Sequence, residues 1–432
     1  IYTITYNVID SQGNAATEVT RTVTVFTSMW NGSFNNDWDT AANWSSNSVP
    51  SPTATVRIPK TGITNFPTAS TAVAINAITI ASGASLIAES TFSGSLTYKR
   101  DLHLANDWCF ISSPVQGSSL ADVISNTDLQ TGTGSNIGIS IYNNSIPGWE
   151  YYSTSSSGTM GSGEGYAVLV NSGDIFFTGT MPIEPVDRSL TEGLDGWNLI
   201  GNPYPSYLAI NNNADAINFL DVNSSKLSGS SVAIYLWDVL DPRSGIKVIN
   251  HSSDPFDMYP GQGFFVKVNS DGNSVSFTEQ MQSHQATGIF YKTTEPTPTI
   301  ILAVENTGEV KTTTLKYFDS TTTGLDVGYD AGAYQDGTPS FSINTHLVSD
   351  SQGIDFTRQS LPISSLDSEV AIPLSINAGI HEEVTFSAEI NNLPEGVSVY
   401  LEDAFNSTFT NLSEAPLKIK ITAALSGIGR FY

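Results

Sequence analysis

The chain has 432 residues, of which 39% are hydrophobic and 14% are charged, and its formal net charge is −25. This acidic excess repels nucleic-acid phosphates, so nucleic acid is not expected as a partner. The single cysteine, Cys109, cannot form an internal disulfide, and no apolar run approaches the roughly 18 residues of a membrane span. No membrane insertion is therefore expected for this segment.

Helical periodicity is nearly absent, and short alternating runs between turn residues predict a multi-domain, all-β protein. Residues 1–27 are predicted to form a hairpin, with one strand on either side of a turn at residues 10–13. This hairpin resembles the end of a bacterial immunoglobulin-like domain, because residues 6–10, 13–15 and 22–25 follow its pattern. Since the chain begins within a strand, we expect it to be a piece of a longer polypeptide.

Residues 28–96 are predicted to form a second unit with a spaced pattern of tryptophan and turn residues. Trp30, Trp38 and Trp44 come first, and short apolar strands follow at residues 74–80 and 84–88. Short strands that stack in this way build a small β-roll or the first coils of a β-solenoid.

A β module is present twice, in residues 97–188 and again in residues 189–291. Three matched stretches keep their order at offsets of 89, 98 and 100 residues: 108–114 with 197–203, 163–168 with 261–266, and 177–181 with 277–281. The acid Glu164 corresponds to Gln262, which argues against a catalytic role for that position. The glycines that flank both residues predict a bulge or a close backbone approach before a buried strand.

Residues 299–432 follow a linker-like segment at residues 294–298 and are predicted to form a β-sandwich of jelly-roll or immunoglobulin-like type. About eight strands with polar turns are expected here, and two of them are placed at residues 363–366 and 370–374.

Four aspartates early in this last unit are candidate calcium ligands: Asp319, Asp326, Asp330 and Asp336. Carboxylate oxygens on a loop suit calcium, although the spacing is not that of an EF-hand. The alternative is that these side chains cap turns by accepting hydrogen bonds from backbone amides. No other cofactor is expected.

Trp149, Tyr151 and Trp237 are candidate carbohydrate-binding residues. The first two follow a turn at residues 145–148, and Trp237 lies in the second copy, in a strand that aligns with the aromatic strand before that turn. Such rings can stack on sugars, and the alternative is that they pack in a core. The sequence has no residue set at the spacing of a zinc site or a known catalytic motif, so no enzyme activity is expected.

Residues 197–205 and 260–266 resemble stretches of the large secreted surface proteins of the Bacteroidetes, particularly those of flavobacteria, and so do residues 323–331, 399–403 and 427–432. In those proteins the closing stretch usually leads into a C-terminal sorting domain for type IX secretion, which this sequence lacks. The resemblance implies an extracellular, cell-surface location.

Two short motifs match the O-glycosylation pattern of that phylum, in which an aspartate precedes a serine or threonine. They place modification at Thr40, after Asp39, and at Ser320, after Asp319. The resemblance therefore implies a glycoprotein, although calcium binding by Asp319 would compete with the second site.

The sequence as a whole predicts a non-enzymatic extracellular surface protein, either an adhesin or a structural stalk. Its expected partners are surface glycans or neighbouring copies of itself. Two alternatives stay open: a carbohydrate-binding accessory region of a larger secreted enzyme, and a subunit of an extracellular filament whose end strands pair with neighbouring chains.

Overall fold

The structure is a computed structural model that describes residues 2–7, 9, 12–17, 19–23, 25–102, 107–237, 245–284, 296–334, 339–380 and 383–432. Strands dominate these residues and form several sheets, whereas the helices are short. The predicted all-β, multi-domain fold is confirmed. None of the helices in the described part of the chain has the length and apolar character needed to span a bilayer.

The N-terminal hairpin pairs β1 (Tyr2–Tyr6) with β2 (Val19–Val23) in antiparallel register. The next unit is built from β3 (Ser28–Met29), a 3-10 helix (Ala41–Asn43), β4 (Thr55–Ile58), β5 (Thr68–Ala69), β6 (Val73–Ile80), β7 (Ile87–Ala88) and β8 (Phe92–Asp101). β3, β4, β6 and β8 pair in parallel one after another, so the chain adds one rung at a time, as the solenoid-like prediction requires.

The three tryptophans of this unit form one buried cluster. The ring of Trp44 meets the rings of Trp30 and Trp38 edge-on, with centroids 5.1 and 4.7 Å apart. Two of the indole N–H groups have hydrogen-bond partners, because Trp44 Nε1 donates to the Trp38 carbonyl and Trp30 Nε1 donates to the Asn65 carbonyl. The spaced tryptophans therefore supply the core of the solenoid-like unit.

The first module copy contains β9 (Cys109–Ser112), α1 (Leu120–Asn126), β10 (Asp128–Leu129), β11 (Asn136–Asn143), β12 (Gly148–Ser153), β13 (Gly165–Val168), β14 (Val170–Ser172) and β15 (Asp174–Gly179). Its main sheet has the strand order β12-β11-β13-β9 and is antiparallel. Ser119 caps α1 by accepting from the backbone amide of Asp122.

The second copy contains β16 (Val186–Ser189), β17 (Trp197–Gly201), β18 (Tyr207–Ala209), α2 (Phe219–Asn223), 3-10 helices (Ser224–Lys226 and Gly229–Ser231), β19 (Ile234–Trp237), β20 (Ile246–Ile249), β21 (Asp257–Met258), β22 (Gly263–Lys267), β23 (Ser274–Phe277), a 3-10 helix (Glu279–Met281) and β24 (Gln282–Ser283). Its main sheet has the order β20-β19-β22-β17. Since β9 matches β17 and β13 matches β22 in sequence, the two sheets share one topology, and the internal repeat is a repeat of structure.

The first copy shares a strand with the solenoid-like unit. Its last strand, β15, pairs antiparallel with β8, and Phe177 lies opposite Tyr98. In the second copy the matching strand β23 pairs with β16, and Phe277 lies opposite Val186. β8 therefore serves both as a rung of the solenoid-like sheet and as the first strand of the module, across the predicted boundary at residues 96 and 97.

The C-terminal unit contains β25 (Thr299–Glu305), β26 (Val310–Phe318), β27 (Ala331–Gly332), β28 (Ser342–Thr345), β29 (Phe356–Pro362), a 3-10 helix (Ile363–Asp367), β30 (Leu374–Asn377), β31 (Glu383–Asn391), β32 (Tyr400–Asp403), β33 (Thr408–Asn411) and β34 (Leu417–Lys420). The main sheet has the order β30-β28-β29-β26-β25-β31-β34, with β27 beside β29. It shares one apolar core with the β32–β33 hairpin.

Two strand predictions in this unit are wrong. Residues 363–366 form a 3-10 helix, and in place of a strand at residues 370–374 the chain enters β30 only at Leu374. Apolar residues in these two stretches, including Leu366 and Ile372, pack against the sheet from a covering segment, so their spacing reflects burial without strand pairing.

A partly buried histidine joins the solenoid-like unit to the second copy. The Nδ1 atom of His284 lies 2.8 Å from the Ser85 hydroxyl, and its Nε2 atom lies 2.9 Å from the Thr68 hydroxyl. Burial lowers the pKa of His284 to about 4, because the charged imidazolium loses its hydration.

This histidine is expected to make the protein less stable in acid. Between pH 6.5 and about 4 the unfolded chain binds a proton at His284 that the folded chain does not, so the free energy of unfolding falls as the pH falls. The loss amounts to about 2 to 3 kcal/mol from this residue. Urea denaturation at pH 7 and pH 4 measures this effect. The difference in the free energy of unfolding between the two pH values should be smaller for His284→Gln than for the wild type. Equal differences in the two proteins would contradict this assignment.

Candidate carbohydrate-binding site

The two module copies pack sheet against sheet. Successive side chains on a strand point to opposite faces, so each sheet has one face toward its own core and one toward the other copy. The facing sides, together with Ala331 of the C-terminal unit, form a separate cluster of buried residues: Phe110, Ala167, Trp197, Leu199, Ala233, Tyr235, Val248, Phe265 and Ala331. Phe265 is at its centre, with its ring 5.3 Å from that of Phe110.

The contacts between the copies are reciprocal. The Ser112 amide donates to the Gly261 carbonyl at 3.0 Å, and the Gly201 amide donates to the Gly163 carbonyl at the same distance. Ser112 corresponds to Gly201, and Gly163 to Gly261, at the offsets found in the sequence. Each copy thus places the end of its first main strand on the glycine turn of the other, as in an interface with two-fold symmetry.

Two glycines allow this close approach, as predicted from the sequence. A Cβ atom on Gly165 would lie 2.8 Å from the carbonyl oxygen of Ile200, and one on Gly263 would lie 2.8 Å from that of Ile111. Gly163, two residues before Gly165, and Gly261, two residues before Gly263, each have a positive φ that other residues rarely adopt.

Five aromatic side chains from both copies meet at one edge of this interface, and we call them the aromatic patch: Trp108, Phe110, Trp149, Tyr151 and Trp237. The ring centroid of Phe110 lies 5.8 Å from that of Trp149 and 6.1 Å from that of Trp237. Trp108 and Tyr151 pair at 6.0 Å.

All three predicted carbohydrate-binding residues belong to the aromatic patch. Tyr151 and Trp237 are each 44% exposed, and Trp149 is partly buried between Phe110 and Tyr142. Trp149 therefore packs against its neighbours, while Tyr151 and Trp237 keep much of their surface in water, and sugar binding by these residues stays a prediction.

A polar cavity of about 430 Å³ adjoins the patch at Tyr142. Its polar lining includes Glu150, Glu164, Arg188 and Asn198. Glu164 is held at both oxygens, because Arg188 Nη2 donates to Oε1 and the Tyr166 hydroxyl donates to Oε2, each at 2.7 Å. This ion pair ties the glycine turn of the first copy to β16 and gives Glu164 a structural role.

Sequence reasoning did not identify Trp108 and Phe110 as members of the site. They flank Cys109 in an apolar run, and Cys109 packs against the core of the first copy, where burial raises the pKa of its thiol. The useful signal is their two-residue spacing, with Trp108 directly before β9 and Phe110 within it, which puts both rings on the face opposite Cys109.

Within the described residues, no group of three or more histidine, cysteine or acidic side chains could hold a metal ion. Asp326 and Asp330 cap turns instead: Asp326 Oδ2 accepts from the Thr322 amide at 2.6 Å, and Asp330 accepts from the amides of Asp326 and Ser360. Burial raises the pKa of Asp330 to about 7, and its two amide partners oppose that shift. Asp319 is exposed, and Asp336 lies outside the described residues.

The two predicted glycosylation positions differ in access. Thr40 is partly buried, and its hydroxyl donates to Asp37 Oδ2 at 2.8 Å. Ser320 is exposed in the turn that follows β26. Modification at both positions stays a prediction, with the better access at Ser320.

A family profile described as Domain of unknown function (DUF8693) matches residues 249–432. The match covers less than half of the chain, so it is a similarity of that part alone. No curated protein and no solved structure matches the sequence.

The matched stretch begins where the second copy docks onto the C-terminal unit. In the loop after β20, Asn250 Nδ2 donates to the Tyr329 carbonyl at 2.8 Å, and the His251 amide donates to the Gly328 carbonyl at 2.9 Å. In return, Lys316 Nζ donates to the Ser252 carbonyl. The profile therefore spans this docking loop together with the unit on which it docks.

Proposed function

We propose that this chain is a non-enzymatic, extracellular surface protein that binds neutral carbohydrate through the aromatic patch. The observation that carries the proposal is the contact of Trp149 and Trp237, from two module copies, with Phe110, beside the pair of Trp108 and Tyr151. Tyr151 and Trp237 are each 44% exposed. The sequence resemblance to secreted Bacteroidetes proteins supports display at the cell surface by type IX secretion.

Physical reasons favour a sugar as the ligand. An exposed aromatic ring offers a flat apolar face to the C–H groups of a sugar. A cluster of exposed aromatic side chains indicates a binding surface. The cavity beside Tyr142 adds amide and carboxylate groups that can bond hydroxyls. The net charge of −25 disfavours acidic glycans and favours neutral ones.

Replacing Trp237 with alanine is expected to weaken glycan binding roughly tenfold, the effect of losing about 1.4 kcal/mol of stacking. The measurement is a glycan array followed by calorimetry on the neutral oligosaccharides that bind. Because Trp237 is largely exposed, the variant should fold normally.

Tyr400→Ala provides the matched control, since Tyr400 is an exposed aromatic residue in the C-terminal unit. It should leave binding unchanged, and Trp237→Phe should retain part of it. An array without neutral-glycan hits, or equal affinities for the wild type and Trp237→Ala, would refute the proposal.

A further inference from the structure

The C-terminal unit contains a cavity of about 720 Å³ between its main sheet and the segments that cover it. The floor is apolar and comes from the sheet: Ile300, Leu302, Leu315, Leu361 and Leu374. Residues 365–372 and 396–402 form the opposite wall. A cavity of this size and polarity is suited to a small organic ligand.

The mouth of this cavity is aromatic and acidic. Tyr400 and Phe409, which are 56% and 64% exposed, stand at its rim. Every charged side chain that lines the cavity is a carboxylate, namely Asp367, Glu369 and Glu402. Carboxylates and aromatic faces both attract cations, so the rim is complementary to a positively charged group.

An unpaired amide lies next to the floor of the cavity. Gln359 is fully buried, and its Oε1 and Nε2 atoms have no hydrogen-bond partner among the described residues. It lies opposite Leu315 in the pairing of β26 with β29 and two residues before Leu361, and both of these leucines line the cavity. A buried polar group of this kind calls for a partner, which a ligand in the cavity could supply.

We propose that this cavity binds an aliphatic molecule with a cationic amine at one end and a hydrogen-bonding group at the other. The apolar body would cover the leucine floor, the amine would lie among the rim carboxylates, and the second polar group would reach Gln359. The cavity belongs to a different unit from the aromatic patch, so this site is independent of glycan binding.

Calorimetry of the full chain with decylamine, aminodecanol and decyl sulfate tests the proposal. Decylamine should bind once per chain, aminodecanol severalfold more tightly because its hydroxyl meets Gln359, and decyl sulfate at least tenfold more weakly than decylamine. Combined replacement of Asp367→Asn, Glu369→Gln and Glu402→Gln should weaken decylamine binding at least tenfold.

A matched control removes three exposed carboxylates elsewhere on the same unit, in Glu305→Gln, Asp350→Asn and Glu389→Gln. It should bind decylamine like the wild type. Val397→Trp, at a partly buried position in the wall, should abolish binding, with thermal unfolding as the check on folding.

The proposal is overturned if decylamine does not bind, if decyl sulfate binds as tightly, or if the control variant weakens binding as much as the rim variant. If Val397→Trp does not fold, the comparison of rim and control variants still decides. Trp237→Ala should leave decylamine binding unchanged, so failure of one proposed site does not affect the test of the other.

Discussion

Replacing Gly165 or Gly263 with alanine is expected to lower the free energy of unfolding by about 3 kcal/mol, because neither position has room for a Cβ atom. At Gly165 the new atom would lie 2.6 Å from Leu199 Cγ and 2.9 Å from the Ile200 amide nitrogen. At Gly263 it would lie 2.9 Å from the Ile111 amide nitrogen. The neighbouring groups include backbone, so the two copies have to move apart, and the reciprocal hydrogen bonds weaken.

Urea denaturation followed by tryptophan fluorescence measures this effect. The two variants should lose similar amounts of stability, because the contacts that they disturb are equivalent. Gly308→Ala is the matched control, since a Cβ atom there meets nothing within 4 Å, and it should change stability by less than about 1 kcal/mol. Wild-type stability in both interface variants would mean that the copies do not dock in this way in solution.

Removing the ring of Phe265 is expected to cost about 4 kcal/mol of stability. This side chain is fully buried between the copies, and its ring lies 5.0 Å from that of Tyr142 and 5.3 Å from that of Tyr334. Phe265→Ala leaves a cavity where both copies and the C-terminal unit meet, and the loss of stability grows with the volume of that cavity.

Denaturation again provides the measurement, and a red shift of tryptophan emission should accompany it as Trp149 and Trp197 gain contact with water. Phe34→Ala is the comparison, because Phe34 is 72% exposed and its loss should change stability by less than about 0.5 kcal/mol. A loss of stability in Phe265→Ala as small as that in Phe34→Ala would mean that Phe265 is not in the core of the interface.

The repeat was predictable from the sequence because its matched residues are those that fix a fold. The glycine pairs were predicted to permit a close approach, and they do so at Gly165 and Gly263. What could not be predicted is which backbone approaches them. The partner of each glycine turn is in the other copy, Gly201 for the turn at Gly163 and Ser112 for the turn at Gly261, and no local pattern encodes that pairing.

Strand β29 was not predicted from the sequence, for a different reason. Its central residues, Arg358, Gln359 and Ser360, are polar, and a run of polar residues reads as a loop. In the structure Gln359 and Ser360 are buried and Arg358 is partly buried. Arg358 faces the docking loop of the second copy, while Gln359 faces the inside of the C-terminal unit. Pattern reasoning fails where buried positions are polar.

The candidate site was predictable in part. Trp149, Tyr151 and Trp237 were identified by residue type, yet the sequence could not tell that they would meet, because Trp237 belongs to the other copy. Phe110, which contacts Trp149 and Trp237, lies in an apolar run whose alternate residues face two different cores.

The shared strand β8 also limits how this protein can be rearranged. A gene segment that starts after residue 101 would encode a first module without the partner of β15, and a segment that ends at residue 91 would encode a solenoid-like stack without its last rung. The second module, in contrast, contains the partner of its own last strand, because β23 pairs with β16. The first module and the solenoid-like unit have to be inherited together.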